Sequence, residues 1–166
     1  MQKKMIDKKS QGKKNREAGR NFEKKIRADL EKKGWNVDRW TNQVEFPNTF
    51  SPSIDKQLRL DFKSLGKLVP CKPKFNPFTH SLMMNRAGFP DFIIFRKAGL
   101  CDDNRYTYEV IGVECKGGNK DNKYLSGEEQ EKCRWLLNNN IFSKILIAQK
   151  GLKRGEIIFK EFENGN

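Results

Sequence analysis

Apolar side chains recur along this chain at two periods, and the alternation between them lays out the fold. Ala18, Phe22, Ile26 and Leu30 fall four apart, so they form one stripe of a helix predicted from about Lys14 to near Gly34. Residues 35–40 then alternate large apolar with polar side chains, the period of a strand with one face on a core. Residues 91–95 and 108–116 read as two further strands, the second apolar on both faces over its middle and therefore central. Ser126 and Glu129 fit a capping box that opens a second helix through Gln130, Cys133, Trp135, Leu136 and Leu137. Residues 144–148 follow as a buried strand and 156–160 as an edge strand.

Between about residues 45 and 86 the periodicity breaks down among Pro47, Pro52, Pro70, Pro73 and Pro77, and only 58–62 looks strand-like. An irregular stretch of this length inside a compact domain is expected to be an insertion. Its Phe and Lys side chains either anchor it to the core or meet bases and phosphates. The order helix, three strands, helix, strand, strand predicts an α/β fold with a central mixed sheet flanked by helices, and there is no internal repeat.

Composition adds a partner class. At 166 residues the chain suits one domain, and its 36% apolar and 33% charged residues predict one core beneath an ionic surface. The formal net charge of +13 predicts attraction to a polyanion, with nucleic acid the first candidate and an anionic membrane the second. Residues 1–33 hold 13 Lys/Arg against 5 Asp/Glu, so the excess is concentrated at one end. Residues 1–13 read as a mobile basic arm preceding a single domain over 14–166, and Lys13 of the arm with Lys14, Arg16 and Arg20 of the helix that follows are candidate phosphate contacts. No apolar run is long enough to span a bilayer and the start lacks a signal-peptide core, so a cytoplasmic protein with no membrane partner is expected. Cys71, Cys101, Cys115 and Cys133 have no CxxC spacing and His80 is the only histidine, which argues for free thiols over structural zinc.

The candidate chemistry lies in Gly88-Phe89-Pro90-Asp91 and Val113-Glu114-Cys115-Lys116. Residues two apart on a strand share a face, so Glu114 and Lys116 point the same way from the end of a central element. If the strand beginning at Asp91 lies alongside, two carboxylates and an amine converge. That set suits Mg²⁺, which takes one or two protein carboxylates and keeps waters. Each string alone has a plain alternative, a surface ion pair or a turn before a strand. Arg39 is placed either to meet a phosphate or to pair with Asp38 or Glu45. Lys120 and Lys123, in the loop after the second string, are further candidates for backbone contact.

Pro90-Asp91 with Glu114-Cys115-Lys116 resembles the signature of the PD-(D/E)XK nuclease superfamily, whose restriction-endonuclease-like core is a helix, three strands, a helix and a strand. Gly19-Arg20-Asn21-Phe22-Glu23 looks like the Gly-x-x-Phe-Glu element of archaeal Holliday-junction resolvases. The Gly-x-Pro-Asp form, followed by Ser126-x-x-x-Gln130, is similar to the VRR-NUC branch. The resemblance implies that Asp91 and Glu114 bind Mg²⁺ or Mn²⁺ and that Lys116 acts on the nucleophilic water. It also implies that Glu23 assists the metal and that Gln130 helps to hold the site from the second helix. It further implies a DNA endonuclease leaving 5′-phosphate and 3′-hydroxyl ends, acting on branched DNA with a four-way junction as leading substrate, and working as a homodimer. A restriction-type or nicking nuclease, an RNA nuclease and a non-catalytic nucleic-acid-binding module on the same fold are the competing expectations.

Overall fold

The computed structural model of the chain describes residues 8–47, 66–77, 80–83, 88–117 and 124–163. The elements are α1 (Lys8–Lys32), β1 (Asn36–Arg39), β2 (Asn42–Glu45), β3 (Lys67–Pro70), β4 (Lys74–Asn76), β5 (Ser81–Met83), β6 (Phe92–Leu100), β7 (Tyr106–Lys116), α2 (Gly127–Asn138), β8 (Lys144–Lys150) and β9 (Ile157–Glu161). Five of the strands form one sheet in the order β1-β6-β7-β8-β9. Neighbours β1, β6 and β7 are antiparallel, whereas α2 carries the chain back so that β8 runs parallel to β7, and β9 then pairs antiparallel with β8.

The sheet's pleat divides the core between its two faces. On one, Phe22, Ile26 and Leu30 of α1 pack against Val37, Phe92, Ile94, Ile111, Val113 and Ala148. On the other, Cys133, Trp135 and Leu136 of α2 pack with Ile145, Ile147, Phe142 and Phe89. Adjacent positions such as Ile93 and Ile94, or Ile147 and Ala148, belong to opposite clusters, as a two-residue period requires. Burying each large side chain contributes roughly 1.5–3 kcal/mol. Strand β7 is thus covered on both faces, and the α/β class with a mixed sheet between helices holds.

Helix α1 departs from its expected start. It begins at Lys8 rather than near Lys14, so residues 8–13 of the expected arm are helical, while 1–7 lie outside the described residues. Ala18 is exposed, because only the second half of α1 reaches the sheet. The first half has no apolar stripe to reveal it, and Lys, Gln, Arg and Glu extend a helix readily without one. The other end stops as expected. Gly34 adopts a φ of 83°, its N–H donates to the Glu31 carbonyl at 3.0 Å, and the Trp35 N–H donates to the Leu30 carbonyl at 3.2 Å. That is the Schellman pattern, for which glycine is the favoured residue.

Within the insertion the described residues form two hairpin-like pairs. β2 and β3 pair antiparallel and close its base, and Val44 enters the α2 core with Phe46 and Leu68 packed nearby. β4 and β5 form a second small hairpin. Phe75 on that hairpin is 59% exposed, so the insertion's aromatics do not all serve as anchors. The strand expected at 58–62 lies outside the described residues. Among the described residues no helix is long and apolar enough to cross a membrane.

Candidate active site

The segment before β6 is stitched to the corner between β1 and β2. Gly88 N–H donates to the Trp40 carbonyl at 2.9 Å, Phe89 N–H to the Asn42 carbonyl at 3.0 Å, and Trp40 N–H to the Asp91 carbonyl at 3.2 Å. A Cβ on residue 88 would collide with the backbone oxygens of Asn42 and Trp40, so the close approach requires glycine. Pro90 in turn packs over Gly112, where a Cβ would lie 2.8 Å from the proline Cγ. These contacts fix Asp91 at the entry to β6.

Phe92 pairs with Val113, so one step further along the ladder Asp91 stands opposite Glu114. Asp91 Oδ2 accepts the Cys115 backbone N–H at 2.8 Å. Glu114 is buried, and Lys116, two residues on, brings its Nζ to 3.2 Å from Glu114 Oε1. The same Nζ donates to Glu129 Oε1 at 2.6 Å. The structure therefore brings together Asp91, Glu114 and Lys116, the three residues on which the sequence reading centred.

Burial in this corner works against each ionised carboxylate. Glu114 is pushed up to about 8, first by burial and then by the charge of Asp91, with Lys116 pulling only partly in the other direction. Asp91 is also raised, by burial above all, although its hydrogen bond from Cys115 opposes the shift. Burial works against the Lys116 ammonium as well, but the Glu129 hydrogen bond and the charge of Glu114 outweigh it, so the amine is held protonated. Burial raises the Cys115 thiol too, with the Asp91 and Glu114 charges adding to it, which makes an unreactive thiol of the residue between Glu114 and Lys116.

The supporting residues fall differently from their expected roles. Glu23 Oε2 accepts from the Arg39 guanidinium at 2.6 Å, and both charges act on Asp91. Arg39 thus pairs with neither Asp38 nor Glu45 through its guanidinium, and its ring-side contact is Phe92, 5.6 Å from the ring centre. Gln130 donates its Nε2 to the Leu125 carbonyl at 3.2 Å and lines a neighbouring groove. The carboxylate that reaches Lys116 from α2 is Glu129, one residue earlier.

Glu129 was legible only as a cap. Its Oε2 accepts the Ser126 N–H at 2.8 Å while Ser126 Oγ accepts the Glu129 N–H at 3.3 Å, completing the capping box. That box accounts for a Glu at the third helical position, so nothing in the sequence asks for a second role. The parallel return of β8 places the start of α2 beside the end of β7 and supplies that role.

Lys13, Lys14, Arg16 and Arg20 are all exposed on the first half of α1. Phe22 lies against Gly117 at the exit of β7, so the residues before it extend past the end of the sheet that carries Asp91 and Glu114. At 1.5 Å per residue, Lys8 to Asn21 spans about 20 Å. Lys120 and Lys123 lie outside the described residues.

Among the described residues no group of three or more His, Cys, Asp or Glu side chains is arranged to hold a metal ion. Buried Glu114 and half-buried Asp91, whose charge raises the Glu114 pKa, still fit Mg²⁺, which draws one or two carboxylates from a protein and completes its octahedron with water and phosphate oxygens. No protein-family model, curated protein or solved structure matches the chain.

Proposed function

We propose that this chain is a divalent-metal-dependent DNA endonuclease built on a restriction-endonuclease-like core. The observation that carries the reading is the convergence of Asp91, Glu114 and Lys116 at one end of adjacent strands. The order of elements, with three antiparallel strands followed by a helical return to a parallel fourth, supports the same core.

Asp91 and Glu114 are the residues that would hold Mg²⁺ or Mn²⁺. Asp91 spends Oδ2 on the Cys115 amide, which orients the carboxylate and leaves Oδ1 for the ion. When bound, the ion would supply Lewis acidity, polarising the scissile phosphate and acidifying water. Lys116, held protonated by Glu129, cannot take a proton from the attacking water. It orients that water by donating to its oxygen and offsets the negative charge that builds on the phosphorus-centred transition state. Glu23 and Arg39, paired with each other, act on Asp91 by their opposed charges, and the exposed cations of α1 hold the phosphate backbone beside the site.

The preferred substrate is branched DNA, the four-way junction first. The test offers the purified chain labelled junction, flap, nicked, linear duplex and single-stranded DNA, with an RNA duplex for comparison, in Mg²⁺ or EDTA. Mg²⁺-dependent cuts leaving 5′-phosphate ends support the nuclease, and paired cuts on opposed strands of the junction support a homodimer acting on it. Salt-sensitive binding with no cleavage of any substrate would point instead to a binding module.

A further inference from the structure

A groove of about 550 Å³ opens directly beside the candidate active site, lined at different points by Tyr124, Gln130, Gln149 and Phe162. Two of its lining residues adjoin residues of the site. Gln149 pairs in register with Lys116 across the parallel β7–β8 ladder, and Gln130 follows Glu129, the residue that grips Lys116. Neighbouring strands lie about 4.8 Å apart, so the groove begins one strand over from Lys116.

The lining selects among the parts of a nucleotide. Glu161 and Glu163 stand on the wall beside Lys160, so carboxylates outnumber the one cation of the lining and a phosphate is not favoured there. Tyr124 and Phe162 offer aromatic surfaces, with Tyr124 76% exposed and so accessible for stacking. Gln130, on the groove lining, gives its Nε2 to the Leu125 carbonyl, which fixes the amide while its Oε1 keeps its capacity to accept. An aromatic plane, a carboxamide acceptor and carboxylate acceptors complement the face and amino edge of a nucleobase.

We infer that this groove takes one unpaired nucleobase flanking the scissile phosphate, which makes nucleic acid with an extruded or single-stranded nucleotide at the cut the preferred substrate class. This rests on the nuclease reading above and, within branched DNA, places branches that leave a nucleotide unpaired ahead of a fully paired four-way junction. A base can reach a side groove only after leaving its stack and its partner, which costs least where it is already unpaired. Stacking on an aromatic ring then holds it with little regard to sequence.

The experiment places 2-aminopurine at the unpaired nucleotide nearest the branch point of a flap substrate and follows its fluorescence on adding the full chain in EDTA, where no metal-dependent hydrolysis occurs. The inference expects strong quenching with wild type, loss of that quenching in Tyr124→Ala, recovery in Tyr124→Phe, and no quenching in a fully paired duplex. In Mg²⁺, the preference of wild type for flap over paired duplex should fall roughly tenfold in Tyr124→Ala with thermal stability unchanged. Equal cleavage of flap and duplex, or quenching independent of Tyr124, overturns the groove assignment and leaves the nuclease reading standing. Cleavage of no substrate with Tyr124-dependent quenching retained overturns the nuclease reading and leaves a base-binding groove.

Discussion

Lys116 Nζ lies 2.6 Å from Glu129 Oε1, while the other oxygen of that carboxylate accepts the Ser126 N–H at 2.8 Å. One side chain thus caps a helix and sets the protonation of the site lysine. The two jobs separate by mutation.

Glu129→Gln keeps an acceptor for Ser126, since Gln also serves at this capping position, but removes the charge that holds Lys116. The hydrogen bond is charge-assisted, worth on the order of 1.5–3 kcal/mol, so cleavage should fall about 10- to 100-fold with little change in Tm. Ser126→Ala should do the reverse, costing about 1 kcal/mol of stability and little activity. Paired kinetics and thermal melts of the two variants check this.

The raised carboxylates of the site predict an unusual pH profile for the metal-free protein. Folding raises the Glu114 pKa from its ordinary 4.5 to about 8, so its contribution to stability is full below about 4.5 and is lost as pH rises through about 8. Asp91 is raised as well and acts with the same sign. Glu129 is lowered, burial opposing and the Lys116 hydrogen bond prevailing, so its own loss of stability is confined to more acid solution. In EDTA, Tm should fall between about pH 4.5 and 8, and Glu114→Gln should flatten the slope. Saturating Mg²⁺, which binds the ionised form, should restore stability at the alkaline end.

Half of the site's frame could be read from the chain and half could not. Asp91, Glu114 and Lys116 were visible because strand periodicity puts alternate residues on one face and the two strings border apolar runs. The capping box at Ser126 was visible because its spacing is local. The exposed first half of α1 was hidden because a helix with no buried stripe leaves no periodic trace, and Ala18 misleadingly continued the stripe of Phe22, Ile26 and Leu30. The β2–β3 closure of the insertion was hidden because it joins segments far apart in sequence through two four-residue strands. Gln130 and Glu129 are sequence neighbours, and only the tertiary placement of α2 decides which of them reaches Lys116.

The cations on α1 should govern affinity and leave the chemistry alone. Changing Lys13, Lys14, Arg16 and Arg20 together to Gln should lower the slope of log affinity against log salt by about 3 to 4 on duplex-containing DNA. Single-turnover rates at saturating protein should remain near wild type. Fluorescence anisotropy over a salt series reads the first quantity, and quenched-flow cleavage the second.

Gly88→Ala tests how Asp91 is positioned. The added methyl meets the backbone oxygens of Trp40 and Asn42, so the segment must shift, costing about 1–3 kcal/mol. Activity should drop further than stability, because Asp91 is hydrogen-bonded within that segment and a shift of about 1 Å there costs on the order of 100-fold in rate. Gly19→Ala, on an exposed helical position with open space around it, is the matched control and should be neutral or slightly stabilising.

The most direct measurement is single-turnover cleavage of a labelled branched DNA in Mg²⁺ by wild type, Asp91→Asn and Lys116→Ala, with binding followed on the same substrate. The account predicts Mg²⁺-dependent cutting by wild type and a loss of at least about 1000-fold in each variant, with affinity changed only a few-fold. Cleavage that persists in Asp91→Asn and Lys116→Ala, or that proceeds equally in EDTA, would contradict it.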